Sequence, residues 1–151
     1  MQTTVGDVIM KNSKDLLSSV LKTTQMGQVG IRSVLDTSMR PGLRKALEDQ
    51  LKEYDSIETE AHMIASQRGW EVAELDPAVR IMADMMTRTK LAGRNADSRI
   101  AGMMIQGNTR GMIKGLKNLH QFALEDEQIT TLSQKLLDCE TANIRQMQGY
   151  L

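Results

Sequence analysis

The sequence is poor in the residues that staple, kink or stack. Its single cysteine, Cys139, excludes an internal disulfide and a zinc site built on cysteines. The two prolines, Pro41 and Pro77, both stand where a helix can begin rather than inside one. One Phe, one Trp and two Tyr leave little aromatic surface to stack on bases, which argues against nucleic acid as a partner. Neither charge is in excess: nineteen Lys and Arg balance nineteen Asp and Glu, so attraction to a polyanion would need a local patch. No apolar run approaches the roughly 20 residues of a membrane helix. Asp7, Lys11, Asn12, Lys14 and Asp15 interrupt every candidate signal peptide. The expectation is a chain that does not span a membrane and is kept in the cytoplasm rather than secreted.

What is present suits helices. The 151 residues fit one domain, in which a single core can bury roughly two thirds of the surface that the unfolded chain exposes. Twelve Met and many Leu supply a core of unbranched and aliphatic side chains. Leu16, Leu17, Val20, Leu21, Ile31, Val34 and Leu35 recur at helical spacing and predict a first helix over 8–39. After Arg40-Pro41-Gly42, the run from Leu43 through Tyr54, Ile57 and Ile64 predicts a second over 42–68, stopped by Gly69. A connection this short makes the two antiparallel neighbours. Asp76-Pro77 reads as an N-cap and first helical position of a connector near 77–91, carrying Val79, Met82 and Met86. Ala92-Gly93-Arg94-Asn95 reads as a break, because an uninterrupted helix to Leu119 would exceed roughly 60 Å. A third long helix is expected over 96–119. A fourth is expected over 123–149, with Ile129, Leu132, Leu136, Ile144 and Met147 on or beside its apolar stripe and Glu125, Asp126 and Glu127 at its positive end.

The fold expected is therefore all-α: one domain over 1–151, a four-helix bundle with hairpins 8–68 and 96–149 joined by a helical crossover over 69–95. A bundle with one long crossover is the ferritin-like arrangement. A weak internal echo agrees, pairing Gly30–Leu35 with Gly111–Leu116, and Glu58-Thr59 with Glu140-Thr141.

In ferritin-like di-iron proteins each hairpin supplies a Glu and then a Glu-x-x-His. Here Glu58 and Glu140 fall on or near inward stripes, but Ala61 and Asn143 stand three residues later in place of His. The first helix offers Thr24, Gln25 and Gln28, and the third Gln106 and Thr109, where carboxylates would be needed. His62 lies one turn beyond Glu58, so Glu58, His62 and Glu140 are the candidate metal residues, too few for a tight site. Amides and hydroxyls satisfy buried carboxylates without a metal. The expectation is a structural polar layer with no cofactor; iron binding or oxidase chemistry is the alternative.

Met82, Met85, Met86, Met103, Met104 and Met112 have thioethers that could bind Cu(I), but gap-filling in the core is the reading their helical context favours. Gly107, Gly111 and Gly115 form a bare ridge that predicts close approach of a helix, within the chain or from a second copy. Arg88, Lys90, Arg94, Arg99, Arg110, Lys114 and Lys117 make the third quarter basic; a solvated or inter-helix charge pattern is expected of them. Gly27-x-x-Gly30 sits within a helical period and is no phosphate loop.

Asp15-Leu16-Leu17, Leu43-Arg44 and especially Ser66-Gln67-Arg68-Gly69-Trp70 resemble the spore coat protein F family of endospore-forming bacteria, over about residues 15–72. The wider resemblance, over the whole chain, is to the ferritin-like superfamily. The first implies a structural or assembly role, in the cytoplasm or spore coat, with a homo-oligomer or other coat proteins as partners. The second implies a fold whose members often bind iron. Trp70 is expected to cap the end of the bundle or to anchor a partner.

Overall fold

The structure, a computed structural model, describes residues 5–91, 96–121 and 126–151, with side chains from residue 13 onward. These residues form five helices and no strand: α1 (Val5–Leu35), α2 (Pro41–Gln67), α3 (Pro77–Lys90), α4 (Ala96–Gln121) and α5 (Glu127–Gln148). None of the helices described is long and apolar enough to cross a membrane. The Ala92-Gly93-Arg94-Asn95 break and the stretch 122–125, where the fourth long helix was expected to begin, lie outside the described residues.

Local chemistry sets the ends. The first helix stops at Leu35, four residues short of the expected Met39. Two reasons lie in the connection. Arg40, ahead of Pro41, is held extended at ψ 143°, as a residue before proline must be. The Arg44 guanidinium reaches back to the carbonyls of Leu35 at 2.9 Å and Thr37 at 3.0 Å, taking acceptors that a longer helix would have used itself. At the end of α2, Gly69 adopts φ 65°, and Trp70 N–H bonds Ala65 O while Gly69 N–H bonds Ser66 O, a Schellman closure. Asp76 caps α3 by accepting from Ala78 N–H at 2.8 Å. Asp126 caps α5, and its carboxylate also pairs with Arg68, tying the end of α2 to the start of α5.

Side-chain contacts give the directions. Gln25 meets Glu58 and Arg44 meets Leu35, so α1 and α2 are antiparallel. Asn108 meets Asn143 and Gly115 faces Leu137, so α4 and α5 are antiparallel too. Across the hairpins, Asn118 bonds Ser19 and Gly30 faces Met104, setting α4 against α1. Gln50 bonds Gln146 and Lys135 pairs with Glu60, setting α5 against α2. Along α1, contacts of Ser18 with Ala73, Ser33 with Asp84 and Asp36 with Arg88 carry the chain back in the direction of α1 through α3. Thus α1, α3 and α5 point one way, α2 and α4 the other.

The core lies among the four long helices, where Leu16, Leu21, Leu47, Ile57, Ile100 and Ile129 are each 0–1 % exposed. Burying each such side chain stabilises the fold by about 1.5–3 kcal/mol. By contrast α3 contributes no buried residue. Met82, Met85 and Met86 are 63 %, 62 % and 56 % exposed, so the expected gap-filling role fails for them. Among the methionines of the central cluster, only Met104 is buried. α3 packs chiefly on α1, from outside the four long helices, and its outer apolar side chains are left exposed.

Candidate functional site

Two polar regions occupy the middle of the long helices. In the first, Gln25 and Gln28 of α1 are 3 % and 1 % exposed and turn their amides toward α2. Gln25 Nε2 donates to Glu58 Oε2 at 3.1 Å and Glu74 Oε1 at 3.0 Å, while Gln25 Oε1 accepts from Leu75 N–H at 2.8 Å. Gln28 Nε2 donates to Asp55 Oδ1 at 2.8 Å and Glu58 Oε1 at 3.3 Å. His62 is exposed, and its Nε2 lies 2.7 Å from Glu74 Oε1. That His62 contact, followed by the Gln25 amide, holds the Glu74 carboxyl below its ordinary range.

The second region is drier. Tyr54 Oη donates to Asn108 Oδ1 at 2.9 Å, Asn143 Nδ2 donates to the same oxygen at 3.3 Å, and Asn108 Nδ2 donates to Met104 O at 2.7 Å. Burial, then the nearby Glu140, pushes the Tyr54 phenol well above its usual range, so it stays a donor. Glu140 is 3 % exposed, and among the described residues no side chain or backbone N–H hydrogen-bonds its carboxyl. Burial alone pushes that carboxyl up to about 8, leaving it mostly protonated at neutral pH.

Glycines create the space that these side chains occupy. A Cβ at Gly111 would overlap Glu140 Oε2 and sit 2.7 Å from its Cδ. A Cβ at Gly27 would sit 2.6 Å from Tyr54 Cζ. Because α1 and α4 are bare at these points, Tyr54 and Glu140 form the floor of a cleft of about 690 Å³ between α1, α3 and α4. Its walls include Met26, Met82, Met86, Met103 and Met104, and Lys22, Lys90, Arg110 and Lys114 also line it.

No family model, curated protein or solved structure matches this chain. Its chemistry is carried by the geometry alone.

The three candidate metal residues are not brought together. Glu58 and His62 belong to the Gln25 network on the α1 side, whereas Glu140 faces Gly111 of α4. Among the described residues no three His, Cys, Asp or Glu are grouped to hold a metal ion. The donor set does not fit a two-iron centre: Glu58 already receives two amide N–H groups, His62 turns to an exposed Glu74, and Glu140 faces Gly111 on a different helix.

The α4 members of the polar layer also differ from expectation. Gln106 and Thr109 are exposed, and Asn108 takes the inward place. The stripe Ile100, Ala101, Met104, Asn108, Gly111 carries the signal, since Asn108 follows Met104 by one turn. Gly111 and Gly115 of the bare ridge face Glu140 and Leu137 of α5, so their close approach lies within the chain, while Gly107 opens into the cleft. The echo pairs the wrong glycine: Gly27, against Tyr54, plays the part of Gly111, whereas Gly30 meets only Met104. Arg88 of the basic quarter joins α3 to α1 through Asp36, as an inter-helix pattern requires. The Arg68 guanidinium stacks 5.0 Å over the partly buried Trp70 ring, which suits a cap over the end of α2.

Proposed function

We propose that this chain is a non-catalytic structural protein that acts by assembly, on a ferritin-like four-helix bundle in which α3 is the crossover between two hairpins. The order of directions supports the fold reading: α2 and α4 run alike although they are consecutive long helices, which needs a connection that travels the length of the bundle. The amides satisfying Glu58 support the structural reading of the polar layer.

The observation that carries assembly is the outer face of α3. Ile81 and Met85, one turn apart, are each 62 % exposed on a helix without a buried residue. An apolar stripe left in water marks a surface that another protein covers, and methionine adapts to an irregular partner. The partner is a second copy of this chain, with coat proteins as the alternative that the Ser66–Trp70 resemblance suggests. Sedimentation velocity of the wild type beside an Ile81→Lys/Met85→Lys variant tests this. An oligomeric wild type and a monomeric, fully helical variant are expected. A wild type that stays monomeric at high concentration refutes self-assembly.

A further inference from the structure

We propose that the cleft between α1, α3 and α4 binds a single-chain anionic amphiphile, with its head at the cationic residues, its apolar body along the methionines and a distal hydroxyl or carbonyl on Glu140. Three observations converge on it. Gly27, Gly30, Gly107 and Gly111 all line the cleft, on two helices; a Cβ at Gly107 meets nothing within 4 Å and one at Gly30 only Met104, so a larger side chain at either would narrow it. The volume of about 690 Å³ falls within the roughly 300–1,000 Å³ of small-molecule sites, whose usual pattern is apolar walls with a few polar groups.

The second observation is Glu140. This side chain, 3 % exposed, has no hydrogen-bond partner among the described residues, and its carboxyl opens on the cleft, where water or a ligand reaches it. A ligand hydroxyl or carbonyl reaching the floor supplies the missing partner. The third is charge. Lys22, Lys90, Arg110 and Lys114 line the cleft, and none forms an ion pair among the described residues. Among the described residues Glu140 is the only acid in the lining. Four cations without an ion-pair partner among the described residues select an anionic head and disfavour a cationic one, while thioether walls suit a flexible chain rather than a polar one.

This site is separate from the assembly surface, because neither Ile81 nor Met85 lines the cleft. Titration of the Ile81→Lys/Met85→Lys variant therefore reads the cleft whatever becomes of assembly.

Isothermal titration calorimetry with 12-hydroxydodecanoate, dodecanoate and dodecylamine, each below its micelle concentration, tests the proposal. The hydroxy acid should bind one per chain, more tightly than dodecanoate, and the amine at least about tenfold more weakly. Gly107→Leu puts a side chain into free space, since nothing lies within 4 Å of a Cβ there. It should weaken the hydroxy acid at least about tenfold without lowering Tm. Arg110→Gln/Lys114→Gln should weaken both acids and flatten the salt dependence of binding. Glu140→Met, which keeps the length of the side chain and removes its polar end, should erase the preference for the hydroxy acid over dodecanoate. Absence of binding by both acids, unchanged affinity in Gly107→Leu or in Arg110→Gln/Lys114→Gln, or an amine that binds as well as the acids would overturn it.

Discussion

Glu140→Gln should change how the stability of this protein depends on pH. The wild-type carboxyl titrates near 4.5 in the unfolded chain and is pushed up to about 8 in the fold, so between these values the folded state holds a proton that the unfolded state has released. A raised acid of this kind contributes its full stability below about 4.5, and that contribution falls away as pH rises, until it is lost above about 8. At 1.36 kcal/mol per pH unit the gap amounts to about 5 kcal/mol, of which about 3 kcal/mol is already gone at neutral pH. The surroundings leave this window clear. Tyr54 and Cys139, packed beside Glu140, are themselves pushed upward and titrate above it. Glutamine keeps the shape of the side chain and removes the ionisation. Urea unfolding followed by circular dichroism from about pH 5 to about pH 9 should show the wild type losing several kcal/mol relative to the variant. Parallel stability curves, or a wild type that gains on the variant as pH rises, would refute the reasoning.

The glycines offer a sign test: Gly27→Ala places a Cβ against the body of the Tyr54 ring and should cost about 1–3 kcal/mol, less the helix propensity gained, whereas Gly107→Ala, in open space, should stabilise by up to about 1 kcal/mol in the same urea assay. Asp126→Ala removes both the cap of α5 and the partner of Arg68, and should lower the unfolding free energy by about 1–2 kcal/mol or somewhat more with an unchanged m-value. Cys139 is 6 % exposed and its thiol is pushed up to about 12, chiefly by burial, so an aromatic disulfide reagent should label it only as fast as the protein opens; rapid labelling of the native state would contradict that burial.

The residues that end and turn the helices were readable from the chain itself. Pro41, Gly69 and Asp76-Pro77 act through backbone dihedrals and hydrogen bonds spanning a few positions, so they mark the same boundaries in the sequence and in the structure. The inward stripes of α1 and α2, and Glu140 on the inward stripe of α5, follow equally from helical period. Which residues face one another did not follow. Gln106 and Asn108 differ by 200° around α4, and although the stripe through Met104 marks the place of Asn108, its partners Tyr54 and Asn143 emerge only from the packing. The sequence presented Glu58, His62 and Glu140 as one group because composition records ligand types, whereas helix rotation sends His62 to Glu74 and Glu140 to Gly111. The same holds for the methionines: apolar spacing marks a helix face, but whether that face is buried depends on how many neighbours a helix has, and α3 lies outside the main core. Local signals in one segment determine where helices begin and end. The floor of the cleft is a tertiary result: Gly27 and Gly111, on helices distant in sequence, leave room there for Tyr54 and Glu140 from two others.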